Sequence, residues 1–234
     1  IVARYNTWDL RGFDVGFTAD TTRFEADYSR IPGGTSSILR NGQRSFAAAQ
    51  ISRPWLKPWG FVIPKIQLHA TRYQLDSALA NGQLEANRLL PTFSLDTGLV
   101  YERDASILGR GLRQTLEPRA FFVRTPYKDQ SQLPSYDSGA TDFNLTTVYS
   151  ENPYVGQDRI ADNNLVTLGV NSRFFDSNTG EKSKSSTNGN IELLFNGSVF
   201  IFQNGDQKCM GNYSIEDKVV TFTVTSMKGD SEQI

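Results

Sequence analysis

Side chains able to carry acid–base chemistry are few in this sequence. The chain has one histidine, His69, and one cysteine, Cys209. Hydrolysis would need a serine within hydrogen-bond reach of His69 and a third group to orient the imidazole. The residues around His69 form no such motif, and a lone histidine without a partner motif is usually structural. The sequence therefore predicts no catalytic residue and no enzyme.

Metal and nucleotide sites are not predicted either. Residues 142–144 and 158–164 combine Asp with Asn, but neither follows EF-hand spacing, and turn chemistry explains both. The "GGTSS" at Gly33 lacks the lysine and the following helix of a phosphate-binding loop. One cysteine excludes an internal disulfide and a cysteine-built zinc site. We therefore expect no metal and no cofactor.

Charged and amide side chains do recur on one side of alternating segments. In "TLEPRAFFVRTPYKDQ", residues 115–130, Glu117 and Arg119 point one way while Leu116 and Phe122 point the other. Opposite charges on neighbouring strands would form ladders worth about 0.2–1 kcal/mol each. The same alternation selects nine candidates for a polar, lumen-facing side: Lys65, Gln67, His69, Asp96, Glu102, Glu117, Arg119, Asn171 and Arg173.

The elements that position these side chains are predicted to be long β-strands. Period-2 alternation runs through residues 62–74, 93–102 and 166–174. Such lengths match the 9–11 residues of a tilted strand that crosses a bilayer. Tight turns such as residues 58–60 alternate with long polar loops at 32–43 and 129–140, and residues 76–90 are interpreted as loop or hairpin top.

Bulk composition fits an all-β membrane protein as well as a soluble one. Mean hydropathy is −0.41, and no apolar run approaches the roughly 18 residues that a spanning helix needs. With 24 basic and 25 acidic residues scattered singly, a nucleic-acid partner is not expected. We predict an antiparallel transmembrane β-barrel segment whose apolar side meets lipid. Pro118 lacks an N–H donor, so a bulge or rim position is expected there.

The composition changes after residue 176. Residues 177–190 are small and polar, which predicts a linker or loop. Beyond it, Asn196-Gly197 and Asn204-Gly205 separate short alternating runs, the pattern of tight β-hairpins. The predicted organisation is therefore a barrel segment at 1–176, a linker at 177–190 and a small β-meander of unassigned role at 191–234.

Several segments of residues 1–176 together resemble the LptD family of outer-membrane lipopolysaccharide-assembly proteins. The most specific are "QTLEPRAFFVRTPYKDQSQLPSYDS" and "YSENPYVGQDRIADNNLVTLGVNSRFFD". Three further segments follow the family pattern in order: "RGFDVGFTADTTRF", "VIPKIQLHATRYQL" and "LPTFSLDTGLVYERD". The tail departs from the family, and "GNYSIEDKVVTFTV" faintly resembles lipocalin-like domains.

The resemblance implies a slice of a very large barrel in the outer membrane of a Gram-negative bacterium. It implies lipopolysaccharide and outer-membrane lipid as ligands, an LptE-like plug lipoprotein in the lumen, and periplasmic Lpt bridge proteins that act through an amino-terminal domain not present here. A fragment, or a fusion to unrelated sequence, is expected. Two alternatives stay open: a soluble β-rich binding module, and an outer-membrane barrel lipid hydrolase that uses His69.

Overall fold

Every regular element that the structure describes is a β-strand. A computed structural model of the chain describes residues 1–26, 41–107, 110–142, 147–176, 190–196, 199–204, 207–216 and 219–228. The first strands are β1 Val2–Leu10, β2 Phe13–Phe24, β3 Gly42–Ser52, β4 Trp55–Lys57, β5 Gly60–Leu75, β6 Glu85–Leu99, β7 Tyr101–Ile107 and β8 Arg110–Thr125. They are followed by β9 Gly139–Ala140, β10 Tyr154–Val155, β11 Asn163–Asp176, β12 Asn190–Asn196, β13 Val199–Asn204, β14 Gln207–Glu216 and β15 Val219–Lys228.

The strands form one large antiparallel sheet and one small ribbon. The large sheet has the order β1-β2-β3-β5-β6-β8-β11-β12-β13-β14-β15, with β4 beside β5 and β7 beside β8. Among the described residues no ladder joins β1 to β15, so the sheet is open. β9 and β10 pair separately. The predicted all-β fold with long antiparallel hairpins and a C-terminal meander is confirmed.

No helix in the described part of the chain is long and apolar enough to span a membrane.

Strand lengths and turns follow the sequence signals closely. β5 and β8 have 16 residues each, and β6 has 15. The β5–β6 hairpin turns through Gly82, whose φ of 80° lies in the left-handed region that favours glycine. Residues 76–90 were predicted as loop or hairpin top; residues 76–84 form the hairpin top, but β6 begins at Glu85, so residues 85–90 are strand. The predicted loop at 32–43 and linker at 177–190 lie mostly outside the described residues.

The two faces of the large sheet differ in polarity. On the first, here called the apolar face, large hydrophobic side chains are 38–55% exposed: Phe17, Ile51, Ile66, Leu68, Leu89, Phe93, Leu99, Leu116, Val166, Leu168 and Val170. On the opposite face, polar side chains are almost completely buried: Arg44, Thr71, Arg88, Thr92, Ser94, Thr115, Thr125 and Thr167. Apolar side chains such as Phe46, Tyr73 and Phe121 are buried on that face as well, so the feature that differs from a soluble domain is the broad exposed apolar face.

The polar face is buried because residues 126–142 and 147–162, between β8 and β11, lie over it. We call these residues the covering segment and the face beneath them the covered face. Phe24 of β2 stacks on Tyr136 of the covering segment with ring centroids 4.1 Å apart. Val148 of the same segment packs with Ile201 of β13 in a small apolar cluster. Because β2 and β13 are far apart in the strand order, the sheet curls around the covering segment.

Pro118 interrupts one ladder of β8 and leaves the other intact. The register between β8 and β11 runs through the Pro118–Val170 pair without a shift, so the expected bulge is absent. On the other side, the β6–β8 ladder ends at Gly98–Arg119 and the β7–β8 ladder begins at Tyr101–Leu116. The missing N–H of Pro118 explains why β6 and β7 are separate strands.

The C-terminal strands continue the same sheet. β12 pairs with β11 over seven residue pairs, from Thr167–Asn196 to Arg173–Asn190. β13, β14 and β15 then follow as consecutive antiparallel neighbours. The division of the chain at residue 176 into separate domains stays a prediction, because the pairing shows sheet continuity and does not test independent folding.

Candidate functional site

The covered face carries a buried ionic network centred on Asp158. Asp158 is fully buried. Its Oδ1 accepts hydrogen bonds from Arg44 at 2.8 Å and from the Tyr73 hydroxyl at 2.9 Å. Its Oδ2 accepts the backbone N–H groups of Tyr136 at 2.5 Å and Asp137 at 2.8 Å. One carboxylate therefore joins two strands of the sheet to two parts of the covering segment.

Arg88 of β6 extends this network through the backbone of the covering segment. Its guanidinium donates to the Asp158 carbonyl at 2.5 Å and to the Gln157 carbonyl at 2.8 Å. The same group donates to Gln130 Oε1 at 2.8 Å and to Thr71 Oγ1 at 3.1 Å. Arg88 is only 2% exposed, so these bonds form in a region of low dielectric constant, where leaving them unmade is costly.

Asp137 adds a second carboxylate to Arg44. The two terminal guanidinium nitrogens of Arg44, Nη1 and Nη2, donate to the Asp137 carboxylate, each at 2.7 Å. Burial alone would raise the pKa of Asp137, but hydrogen bonds from Arg44 and from the Gln157 N–H lower that pKa to about 2. Glycine at position 156 lets the backbone of this turn lie close to the Asp137 backbone. A Cβ at residue 156 would lie 2.2 Å from the Asp137 carbonyl oxygen. The φ of 75° at this residue also favours glycine.

A second attachment point lies at Glu151. Its carboxylate accepts Lys65 Nζ of β5 at 2.9 Å and also accepts the Ser94 hydroxyl of β6. Its carbonyl accepts the Asn163 side-chain amide at 2.9 Å. Lys65 and Glu151 are 27% and 20% exposed, so this ion pair is less buried than the Asp158 network.

A third attachment point combines an ion pair with an aromatic ring. Arg119 donates to both carboxylate oxygens of Asp96, at 2.8 Å and 2.6 Å. The Tyr149 ring of the covering segment lies 4.0 Å from the Arg119 guanidinium carbon, a cation–π contact. Nearby, Arg173 and Glu117 form an ion pair at 3.1 Å. Ionic pairs therefore continue along the covered face from β3 to β11.

The nine predicted lumen-facing residues occupy two kinds of position. Eight lie half-buried on the covered face: Lys65, Gln67, His69, Asp96, Glu117, Arg119, Asn171 and Arg173. Glu102 of β7 is exposed and lies 3.9 Å from Arg113. That this face lines an aqueous lumen stays a prediction.

His69 of β5 lies on the covered face. Its Nδ1 is buried and has no hydrogen-bond partner among the described residues. The Phe46 ring lies 6.2 Å from the imidazole. Groups of acidic, cysteine or histidine side chains able to hold a metal ion are also not found in the described ranges.

The central residues of the network were not predicted from the sequence. Asp158 and Asp137 were assigned to turns and loops, and Arg44 was not selected. Arg44 and Asp158 are 114 residues apart in the chain, so no local pattern connects them. Arg44 stands between Gln43 and Ser45, and Arg88 follows Asn87, so neither arginine is distinguished from its neighbours in the sequence.

Comparison with known proteins places this architecture in a family. The family model described as "LptD: LPS transport system D" matches residues 1–207. The chain belongs to the LptD family. The match reaches from β1 through β13, so it includes the whole covering segment and the first strands beyond residue 176.

Curated LptD-family relatives support this assignment. The chain is 57% identical over 173 residues to "LPS-assembly protein LptD" of Polaromonas sp., covering 74% of this chain and 20% of the relative. It is 53% identical over 184 residues to the Acidovorax sp. protein of that name, covering 75% and 22%. The Albidiferax ferrireducens protein is 49% identical over 180 residues, covering 77% and 22%. The chain thus spans about a fifth of the length of these LptD relatives.

Proposed function

We propose that this chain is part of the wall of an outer-membrane β-barrel that assembles lipopolysaccharide into the outer leaflet of Gram-negative bacteria. The relatives are named LPS-assembly proteins, and the family is described as an LPS transport system. The role proposed for this chain is structural and without chemistry of its own. It would separate a lipid environment from a polar interior.

The distribution of polar and apolar side chains carries this proposal. Ile66 and Leu168 are 55% and 50% exposed on one face. Arg44 and Arg88 are each 2% exposed on the other. In water, a sheet with one broad exposed apolar face would aggregate, whereas in a membrane barrel that face meets acyl chains.

The height of the apolar face fits a bilayer. On β6 the exposed apolar residues run from Leu89 to Leu99. Ten residue steps at about 3.4 Å give about 34 Å along the strand, or about 24 Å of height at a tilt of about 45°. Outer-membrane barrels have apolar bands about 25 Å tall. Polar side chains follow at one end of the band: Asn87 lies two residues before Leu89 on β6, and its partner on β5 is Arg72.

The proposed mechanism is passive. A polar interior beside an apolar exterior lets an amphiphile keep its sugars in water while its acyl chains enter lipid. An LptE-like lipoprotein would pack within the interior, and periplasmic bridge proteins would supply the lipid through parts of the longer relatives. Energy for transport would come from those components.

Lysine substitutions on β11 test the proposal with a matched control. Leu168 and Asn164 lie on the same strand and the same face, four residues apart. Leu168→Lys places a charge in the apolar band, where it costs about 2–4 kcal/mol in a bilayer. Asn164→Lys adds the same charge at the polar end. The substitutions are introduced into an LptD-family protein that contains this chain, in cells depleted of their own copy.

We expect Leu168→Lys to reduce the folded, membrane-inserted protein and the arrival of new lipopolysaccharide at the cell surface. Asn164→Lys should behave like the unsubstituted protein in both measurements. If both variants insert into the membrane and deliver lipopolysaccharide to the surface like the unsubstituted protein, the proposed orientation of the sheet is contradicted. Full recovery of the unsubstituted chain as a monomer in buffer without detergent would instead favour a soluble binding module.

A further inference from the structure

An arginine lies between two aromatic rings where β2 and β3 approach their turns. The Arg53 guanidinium carbon is 4.8 Å from the centroid of the Phe13 ring and 5.4 Å from that of the Trp55 ring. Both distances are those of cation–π contacts. Trp55 is 49% exposed, and Arg53 is exposed as well. We call these three residues the Arg53 site.

The strand register places the Arg53 site on the apolar face. Trp55 pairs with Val62 of β5, and Val62 lies on the same side of that strand as the exposed Ile66. Arg53 follows Ile51, another exposed member of the apolar face, by two residues. The site therefore belongs to the surface that meets lipid in the proposed orientation.

The Arg53 site lies at the end of the sheet where the strands are joined by short turns. Residues 11–12 join β1 to β2, and residues 58–59 join β4 to β5, whereas the longer connections at 25–41 and 126–162 leave from the opposite end. In outer-membrane barrels the short turns are periplasmic. Trp8 and Trp59 in these turn regions are 75% and 63% exposed, and tryptophan is enriched where a membrane meets water. The site is thus level with the headgroups of the inner leaflet.

The positive charge at this end of the apolar face is not balanced by carboxylates. At the opposite end, Arg72 pairs with Glu85 at 2.9 Å. The ion pairs found within the described residues include neither Arg53 nor Lys57. Lys57 lies two residues after Trp55 on β4, so its side chain is on the same face. Two exposed cations without an acidic partner favour an anionic ligand.

We infer that the Arg53 site binds the headgroup of an anionic phospholipid of the inner leaflet. The Arg53 guanidinium, oriented by the two rings, donates hydrogen bonds to the phosphate oxygens, and Lys57 adds a second positive charge. The exposed Trp55 ring contacts the glycerol backbone and the first methylene groups of the lipid. In phosphatidylcholine an ammonium group cancels the phosphate charge, so a lipid with net negative charge binds better.

This inference rests on the proposed function in one respect, since it requires the apolar face to meet lipid. It adds a preference among lipids, which an apolar surface alone does not provide. The bound lipid would fix the depth of β2 and β3 in the membrane at their periplasmic ends.

Quenching of Trp55 fluorescence by brominated lipids tests this inference. The full chain carries Trp8→Phe and Trp59→Phe, which leave Trp55 as its only tryptophan. It is reconstituted in vesicles of equal parts phosphatidylcholine and phosphatidylglycerol. Bromine is placed on the acyl chains of one lipid at a time, so the ratio of the two quenching efficiencies measures lipid selectivity beside Trp55.

Three substitutions separate the charge of Arg53 from the net charge of the chain. Arg53→Gln removes the charge at the site, and Arg53→Lys keeps it. Arg124→Gln is the matched control, because Arg124 is exposed, lies near the opposite end of the sheet and pairs with Phe93 of the apolar face. Circular dichroism confirms that each variant retains its β-sheet spectrum.

We expect phosphatidylglycerol to be favoured about fivefold beside Trp55, the effect of one basic residue at a membrane surface. Arg53→Gln should lower this selectivity at least threefold, whereas Arg53→Lys and Arg124→Gln should change it less than twofold. Equal quenching by the two lipids, or the same selectivity in Arg53→Gln and Arg124→Gln, would overturn the inference and leave the orientation of the sheet intact. Absence of quenching by either lipid would contradict the orientation itself, so the two failures can be distinguished.

Discussion

A single carboxylate, Asp158, joins the sheet to the segment that covers it. Its two oxygens accept four hydrogen bonds from two strands and from the covering segment's own backbone. Removing the carboxylate would leave the buried Tyr73 hydroxyl and two backbone N–H groups without their acceptor, and would leave buried Arg44 with only one of its two carboxylate partners. Breaking a buried ion pair in this way costs about 3–5 kcal/mol.

Asp158→Ala should therefore lower the free energy of unfolding by about 3–5 kcal/mol and expose the covering segment to hydrogen exchange. Asp129→Ala is the control, because Asp129 is exposed and accepts a local hydrogen bond from the Ser131 N–H. Urea titration followed by hydrogen exchange measures both effects. If Asp158→Ala lowers the free energy of unfolding no more than Asp129→Ala does, the ionic network does not hold the covering segment on the sheet.

Asp137 should make the docking of the covering segment sensitive to acid. Its pKa falls from an ordinary value of 3.8 to about 2 in the folded chain. A lowered pKa stabilises the folded state fully above the ordinary value, and this contribution is lost as pH falls through about 2. The stacked Phe24–Tyr136 pair reports docking by near-ultraviolet circular dichroism.

We expect that signal to decline between about pH 4 and pH 2. Asp137→Asn should remove this part of the pH dependence, because the substituted side chain does not titrate. Asp129→Asn should leave the profile unchanged. An identical acid transition in Asp137→Asn would assign the pH dependence to other groups.

At the scale of elements, the covering segment depends on one turn that only glycine fits. Gly156→Ala would force a Cβ to within 2.2 Å of the Asp137 carbonyl oxygen at a φ of 75°. Gly139→Ala in β9 is a matched control, since the nearest atom to its Cβ would be 3.8 Å away. Gly156→Ala should release the covering segment from the sheet, while the strands of the sheet remain folded.

Limited proteolysis distinguishes these two glycine variants. Gly156→Ala should be cut within residues 126–162 at least tenfold faster than the unsubstituted chain, and Gly139→Ala at an unchanged rate. Equal protection of both variants would mean that the turn at Gly156 tolerates a side chain and does not control docking.

The strands were predictable because their signals are local. Alternation at period 2 predicts β5, β6, β8 and β11, and the Asn-Gly pairs predict two hairpins of the tail, β12–β13 and β13–β14; the β14–β15 hairpin has no such pair and was not predicted. The β6–β7 interruption was not predicted. Pro118 was recognised as unusual, but a bulge and an interrupted ladder both accommodate the missing donor, and only the register distinguishes them.

Residues 129–140 of the covering segment were predicted as a loop, but the position of the segment over the sheet was not predicted. Its attachments join Arg44 to Asp158 and Lys65 to Glu151, pairs separated by 114 and 86 residues. Such pairs carry no spacing signal in one sequence. The candidate residues on β5, β6, β8 and β11 could be selected because alternation assigns a side chain to a face. What lies over that face could not be predicted.

At the scale of the whole molecule, the curled sheet presents its apolar face outward and encloses its own polar segment. The Phe24–Tyr136 stack at β2 and the Val148–Ile201 cluster at β13 show that strands on both sides of the sheet contact the same segment. This geometry matches a membrane wall with a filled, polar interior. In the proposed orientation, exposed Ile66 and Leu168 would meet lipid rather than water.

Spin-label accessibility in lipid vesicles tests this orientation most directly. Nitroxides are placed at Ile66→Cys and Leu168→Cys on the apolar face and at the exposed, polar Asn6→Cys position, each with Cys209→Ser. Labels at 66 and 168 should be relaxed strongly by lipid-soluble oxygen and weakly by a water-soluble nickel complex. The label at 6 should show the opposite preference. Access of the nickel complex to positions 66 and 168 equal to its access to position 6 would contradict the account.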